Sequence, residues 1–191
     1  HSDDEILGMG GTIAKYIKEG KKVVTVIFSK GEKSVPWLNE KYLIDLRKKE
    51  AYKVSDEIGK RVIIFLDLKD FELQKEIENK NICAKLEQII LKYKPSKIFT
   101  HSPDYHADHR VVYKTMLFVS DKMKLKYPIY TFDVWKMFDA PKNLPRFYVD
   151  ITDTFSKKIS ALKHFKSQLL FSIYPLMPSM YLKAVYNLPY Y

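Results

Sequence analysis

The fold class is decided by the stretch GGTIAKYIKEGKKVVTVIF, residues 10–28. Its first part, residues 10–19, carries apolar side chains at helical spacing and stops at Gly20. Its second part, residues 22–28, is a β-branched run of strand length. A helix that leads directly into a strand of this kind is typical of α/β folds.

The same alternation of helical patterns and apolar runs continues along the rest of the chain. Further helices are predicted over residues 40–58, 82–93, 111–123 and 154–170, and further strands over residues 61–66, 97–101, 129–135 and 147–151. Right-handed crossovers between parallel strands place helices on both faces of a sheet. We therefore predict one α/β domain over residues 1–191, with a three-layer Rossmann-like fold. Its central sheet is expected to be mainly parallel, with the active site at the C-terminal ends of the strands.

The composition narrows the class of protein. The chain of 191 residues is 46% hydrophobic and 29% charged, which is typical of a globular domain. A single cysteine, Cys83, can form neither an intrachain disulfide nor a cysteine-based zinc site, and this favours a reducing compartment. We predict a cytoplasmic location. The net charge of +10 suggests a nucleic-acid partner, but the lysines are scattered rather than clustered, so no nucleic acid is expected.

Two short clusters combine histidine with carboxylates. The first is HSDDE at residues 1–5, and the second is HSPDYHADH at residues 101–109. Histidine and carboxylate are the natural ligands for zinc when thiols are lacking. The second cluster follows a predicted strand, and the C-terminal ends of parallel strands meet at one edge of a sheet. The two clusters are therefore expected to come together there.

Each cluster also has a simpler interpretation. Asp3 and Asp4 suit the acidic N-terminus of a helix, and residues 101–109 suit a polar loop with exposed histidines. The glycine-rich run at residues 8–11 resembles a dinucleotide loop, but Ile13 breaks the required glycine spacing and the nearby acids would repel a pyrophosphate. The two clusters together favour a metal site.

These motifs resemble those of a known family. The opening HSDDE, followed by Leu7-Gly8 and Gly10-Gly11-Thr12, resembles the H-P-D-D-E opening of the LmbE/PIG-L deacetylases. The segment PDYHADH at residues 103–109 resembles their second motif, of aspartates and histidines. Weaker likenesses lie between the two, at residues 31–32, 47–51 and 66–70. Members of this family are zinc-dependent enzymes that remove N-acetyl groups from N-acetylglucosamine-type sugars.

The resemblance implies a role for each motif residue. The implied zinc ligands are His1, Asp4 and His109, and Fe²⁺ is the alternative ion that the same ligands could bind. The implied catalytic residues are Asp3 as general base, His106 as partner of the oxyanion, and Asp108, which would orient or charge His106. The implied substrate-binding residues are Arg47, Asp70 and Glu32.

The expected substrate is a small amino-sugar conjugate, lipid-, nucleotide- or glycoside-linked, and the expected product is acetate. A homo-oligomer is a further expectation. Alternatives are a non-catalytic sugar-binding or nucleic-acid-binding protein on the same fold, and a deacetylase of a thiol-cofactor precursor.

The sequence departs from the family pattern in three places. Ser2 stands where the family usually has proline, at a position that contributes no ligand. The family has a strand ahead of its first histidine, so a first strand is expected before His1. The aromatic tail, residues 172–191, matches no family motif, and such a stretch more often packs than binds.

Overall fold

A computed structural model describes residues 1–134 and 145–185. Its helices and strands follow one another in this order: α1 (Asp4–Lys18), β1 (Val24–Ser29), α2 (Glu40–Ile58), β2 (Val62–Leu68), α3 (Leu73–Asn79), α4 (Ile82–Tyr93), β3 (Ile98–His101), α5 (Ala107–Lys122), β4 (Ile129–Phe132), α6 (Phe155–Leu162) and α7 (Tyr174–Val185). Short 3-10 turns lie at Thr152–Thr154 and Lys166–Gln168, and a π-helical turn lies at Leu169–Ile173.

The strands pair in parallel, as the alternation of elements predicts. β1 pairs with β2, with Val24 opposite Val62, and β3 pairs with β4, with Ile98 opposite Ile129. The predicted α/β class and parallel pairing are confirmed. The register of β1 against β2 shifts near its C-terminal end, next to the candidate site.

Helices cover both faces of the β1–β2 pair, which gives the three predicted layers. Ile27 packs into a hydrophobic cluster with residues of α1, α2 and α6, whereas Phe28 packs into a second cluster with residues of α3, α4 and α5. Successive side chains of a strand point to opposite faces, so these two neighbours belong to two separate cores.

A cavity of about 390 Å³ lies between β1 and β3. Both strands line it, together with residues of α1, α4 and α5, and most of its wall is apolar. His1 stands at the end where both strands finish, and Lys22 stands at the end where β1 begins. Among the described strands, β1 and β3 are not hydrogen-bonded to each other.

The last third of the chain differs most from the predictions. The strand predicted over residues 147–151 is wrong, because this segment is largely exposed and pairs with no described strand. The helix predicted over residues 154–170 ends at Leu162, and the chain continues in 3-10 and π turns. The strand predicted over residues 129–135 ends at Phe132 in the structure. Residue 135, the last of the predicted range, lies outside the described part of the chain.

The C-terminal segment packs against the rest of the domain. In α7 and the π turn before it, Ile173, Leu176 and Met180 are buried in the same hydrophobic cluster as Ile27. Residues 186–191 of the predicted tail lie outside the described residues. Within the described ranges, none of the helices combines the length and the apolar character needed to cross a bilayer.

Candidate metal centre and active site

The two acidic histidine clusters meet at the C-terminal ends of the strands. Asp4 begins α1, His101 ends β3, and His106 is the N-cap of α5, with His109 in the first turn of that helix. These element ends bring side chains about a hundred residues apart into direct contact. The expected meeting of the clusters is therefore present in the structure.

One carboxylate oxygen of Asp4 lies at the centre of the cluster. Its Oδ2 is 3.2 Å from Nδ1 of His1, 3.1 Å from Nε2 of His109 and 3.2 Å from Nε2 of His101. Ligand atoms of His1, Asp4 and His109 all lie within 4.8 Å of one another. The three predicted metal ligands are thus placed where one ion can contact all of them.

His109 lies between the carboxylates of Asp104 and Asp4, an environment that favours a positive charge. Its Nδ1–H donates to the carboxylate of Asp104 at 2.8 Å, which leaves Nε2 directed at Asp4. Burial disfavours the charged ring, but these two carboxylates raise the pKa of His109 to about 9. A proton or a metal cation must lie between Nε2 and the Asp4 oxygen, because two lone pairs at this distance repel. The donor set therefore fits a divalent cation such as Zn²⁺.

His1 is held between two carboxylates as well. Its Nε2 lies 3.2 Å from Asp70, and hydrogen bonds to Asp4 and Asp70 raise its pKa well above the usual value despite burial of the ring. Burial opposes ionisation of Asp4, yet the nearby His109 charge lowers the pKa of Asp4 well below its usual range. His1 also forms a second group of ligand type with Asp70 and Asp108.

Asp3, the predicted general base, forms an ion pair with Arg47. Its Oδ1 accepts a hydrogen bond from Nη2 of Arg47 at 2.7 Å, and both side chains are buried. Arg47 also donates from Nη1 to Ser34 at 2.9 Å. Gly31, at φ +73°, leaves room for this arginine, since a Cβ there would lie 2.5 Å from its Nε. Arg47, predicted to bind substrate, therefore contacts the predicted base.

His106 is fixed in one orientation by its place at the start of α5. Its Nδ1 accepts a hydrogen bond from the backbone N–H of Asp108 at 3.2 Å, so the neutral ring carries its proton on Nε2. Burial, with the charges of His1 and His109, lowers the pKa of His106. A neutral ring with a free Nε2–H can donate a hydrogen bond to an oxyanion.

The carboxylate of Asp108, expected to orient or charge His106, accepts its described hydrogen bond from another residue, although its charge opposes the lowering of the His106 pKa. Its Oδ2 accepts from the backbone N–H of Phe71 at 3.1 Å and lies 3.8 Å from Nε2 of His1. Only the backbone of Asp108 contacts the His106 ring by a described hydrogen bond. The physical reason is the helix start, where a backbone N–H is available to the N-cap side chain.

The other two predicted substrate contacts form a buried network beside the site. Asp70 accepts hydrogen bonds from the Ser29 hydroxyl and from the backbone N–H groups of Gly31 and Lys33. Although burial opposes it, hydrogen bonding by His1 and Ser29 keeps the pKa of Asp70 well below its usual range. Glu32 accepts from the backbone N–H of Asp70 at 3.1 Å.

Two residues at the site carried no assigned role in the sequence. Asp104 stands inside the second motif, but its contact with His109 depends on the turn between β3 and α5. Phe71 follows Asp70 directly, and its ring stacks on His106 at 5.4 Å between centroids. The motif could have indicated Asp104, whereas nothing in the sequence marks Phe71.

A fold of parallel strands with a His/Asp cluster at their C-terminal ends defines the class: an α/β protein with a candidate metal site where such folds bind their ligands. Residues 1–119 match the PIG-L family, described as GlcNAc-PI de-N-acetylase. The chain belongs to this family of amide hydrolases, as the motifs suggested.

A relative in sequence agrees with this assignment, and a solved structure shares the fold. The chain is 28% identical over 179 residues to the probable N-acetyl-alpha-D-glucosaminyl L-malate deacetylase 2 of Bacillus cereus, covering 88% of this chain and 80% of the relative. It superimposes on the N,N'-diacetylchitobiose deacetylase of Pyrococcus horikoshii with a TM-score of 0.77 and 23% identity, over 97% of this chain and 74% of the other.

The same fold also carries a different activity. GalB of Pseudomonas putida KT2440, a 4-carboxy-2-hydroxymuconate hydratase, superimposes with a TM-score of 0.75 at 20% identity, covering 98% of this chain and 82% of the other. Fold similarity alone therefore does not select between deacetylation and hydration. The choice of deacetylation over hydration rests on the family match and on the residues of the site.

Proposed function

We propose that this protein is a metal-dependent hydrolase that removes the N-acetyl group from an N-acetylglucosamine-type conjugate and releases acetate. The single observation that carries the proposal is the division of labour between consecutive carboxylates. Asp4 contacts His1 and His109, whereas Asp3 accepts a hydrogen bond from Arg47. We infer that Asp4 binds the cation and that Asp3, oriented by Arg47, acts as the base.

His1, Asp4 and His109 would hold the ion, with zinc as the proposed metal and Fe²⁺ as the alternative. A bound divalent cation supplies Lewis acidity, which polarises an amide carbonyl and lowers the pKa of a water molecule toward about 7. Asp104 keeps the proton of His109 on Nδ1, so that Nε2 is available as a ligand.

The remaining steps belong to the side chains around this cluster. Asp3 removes a proton from the attacking water and later returns it to the departing amine. His106 donates from Nε2–H to the oxyanion that forms when water adds to the acetyl carbonyl. The C–N bond then breaks, and the products are acetate and the free amino sugar.

Three further residues are proposed to contact the substrate. Arg47, Asp70 and Glu32 would border the sugar, but in this structure each is buried and hydrogen-bonded to other protein groups. The conjugate attached to the sugar, the oligomeric state and the cytoplasmic location stay predictions.

The first test measures acetate release and metal content together. We expect Asp3→Asn to lower turnover of an N-acetylglucosamine conjugate at least about 100-fold, because general-base catalysis contributes about that much. The same variant should keep its metal. His109→Ala should lose stoichiometric metal, measured by elemental analysis of purified protein, together with activity.

Matched controls separate these effects from general damage. Asp45→Asn removes an exposed carboxylate on α2, and His164→Ala removes a half-buried histidine next to Glu57. Both should retain activity and metal. A fully active Asp3→Asn variant would exclude Asp3 as the base, and full metal content in His109→Ala would disprove the ligand set. A wild-type protein that binds the sugar but releases no acetate would favour the non-catalytic alternative.

A further inference from the structure

A column of stacked rings runs outward from the predicted metal ligands. The His101 and His109 rings lie 4.2 Å apart, the His109 and His106 rings 4.7 Å, and the His106 and Phe71 rings 5.4 Å. The planes of each pair are inclined by 29°, 27° and 25°. Phe71 is the last ring of this column. One face of its ring covers His106, and 61% of the residue is exposed.

The backbone of Phe71 is held in an unfavourable conformation. Its φ is +60°, in the left-handed region, where a bulky residue is a genuine outlier. Two hydrogen bonds hold it there: its own N–H donates to Asp108 in a partly buried bond, and the N–H of Asp70 donates to Glu32 in a buried one. The Phe71 backbone is therefore strained while its apolar ring is exposed to solvent. Strained backbone of this kind is concentrated at functional sites.

A second exposed aromatic residue is the sequence neighbour of the same histidine. Tyr105 immediately precedes His106 and is 81% exposed. The turn that carries it is fixed, because Nη1 of Arg110 donates to the carbonyl oxygens of Asp104 and Tyr105 at 2.9 and 2.7 Å. Two exposed aromatic residues therefore stand on hydrogen-bonded backbone: Phe71 is stacked on the histidine proposed to face the oxyanion, and Tyr105 precedes that histidine in sequence.

On the basis of the proposed function, we propose that Phe71, assisted by Tyr105, forms a subsite for a ring attached to the amino sugar. The group it receives is the apolar face of a second sugar ring or of an aromatic aglycone. Stacking is favoured because the open face of Phe71 needs an apolar partner and offers no hydrogen-bond donor or counter-charge. A small carboxylate aglycone such as malate presents no such face. The subsite therefore selects ring-bearing conjugates.

The test compares four N-acetyl substrates in matched variants. N,N'-diacetylchitobiose carries a second sugar ring and phenyl N-acetylglucosaminide an aryl ring, whereas free N-acetylglucosamine and N-acetylglucosaminyl malate carry neither. We expect Phe71→Ala to lower the ratio of kcat/KM for ring-bearing over ringless substrates up to about tenfold, the size of one aromatic stacking contact. The loss should lie mainly in KM. Phe71→Tyr should restore the ratio, and Phe118→Ala, on an exposed aromatic of α5, should not change it.

Comparison of the two ring-bearing substrates identifies which ring is preferred. A loss confined to chitobiose assigns the subsite to a sugar ring, and a loss confined to the phenyl glycoside assigns it to an aryl group. An unchanged ratio with all four substrates in Phe71→Ala would overturn the proposal.

Stability measurements distinguish a binding role from a structural role. Phe71→Gly removes the ring and relieves the left-handed backbone together. We expect its melting temperature to be equal to or higher than that of the wild type, while the preference for ring-bearing substrates is lost. A lower melting temperature with the preference intact would show that the ring only supports the fold.

Direct binding separates failure of this proposal from failure of the proposed function. If no substrate releases acetate, calorimetric Kd values for phenyl N-acetylglucosaminide and N-acetylglucosamine still test the subsite. A preference for the phenyl glycoside that disappears in Phe71→Ala supports the subsite although deacetylation fails. Turnover with no preference for a ring overturns the subsite and leaves the proposed function standing.

Discussion

At the scale of single residues, two consecutive aspartates have opposite surroundings. Asp4 faces three imidazole rings, whereas Asp3 pairs with a guanidinium that is itself buried. A helix start makes this possible, because consecutive side chains at a helix N-terminus point in different directions. The same two residues in a regular surface helix would be ordinary acids that complement the helix dipole.

Asp104 is predicted to control the affinity of the metal site. Replacing a carboxylate that orients a ligating histidine typically weakens metal binding about 10–100-fold. We expect Asp104→Asn to raise the Kd for Zn²⁺ by about tenfold, because the amide keeps an acceptor for Nδ1–H but loses the negative charge. Competition with a chromogenic chelator measures this Kd.

The exposed acid Asp153 offers a matched control, since its carboxylate lies in a surface ion pair with Lys18. Asp153→Asn should leave the affinity for Zn²⁺ unchanged. Unaltered affinity in Asp104→Asn would mean that His109 is oriented by its helix alone.

At the scale of elements, a cavity of about 390 Å³ lies between β1 and β3. Both are parallel strands, and in the described part of the chain each is paired on one side only. His1 stands at the end of the cavity where these strands finish. We propose that the cavity accepts one further parallel strand that leads into His1, as the family pattern also suggested.

An extension ahead of His1 tests this proposal. Six β-branched residues, the length of β1, should raise the melting temperature by at least about 4 °C and should slow hydrogen exchange of β1 and β3 amides. The physical reason is that apolar side chains leave water while two strand edges gain backbone partners. An extension of equal length with alternating prolines cannot complete the hydrogen bonds and serves as control. Equal stabilisation by both extensions would refute the strand.

At the scale of the whole molecule, the C-terminal segment closes one of the two cores. Leu176 is 6% exposed and packs in the cluster that includes residues of α1, α2 and α6. We expect Leu176→Ala to lower the free energy of unfolding by about 2–5 kcal/mol, because a buried cavity is created. Chemical denaturation measures this change, and metal content should be retained because the cluster is separate from the ligands.

Tyr174 lies in the same helix and is 52% exposed, so Tyr174→Ala is the matched control. It should change the free energy of unfolding by no more than about 0.5 kcal/mol. A similarly small effect of Leu176→Ala would show that α7 contributes little to the core.

Local patterns predicted most of the fold. Helix α2 occupies residues 40–58 as its spacing and the following glycine indicate, and α4 likewise occupies residues 82–93. The predictions failed where a segment lacks a periodic pattern of its own: α3 was missed, and residues 147–151 have strand composition but no described partner. A strand depends on its neighbour, whereas a helix satisfies its own backbone.

The sequence by itself determined the α/β class, the two histidine–aspartate motifs and the family, because these depend on residue type and spacing along the chain. Only the tertiary structure decided which group each side chain contacts. It paired Arg47 with Asp3, turned the Asp108 carboxylate toward Phe71 and placed that ring over His106. Such contacts join separate elements, and their geometry depends on how helices and strands pack, which no local pattern specifies.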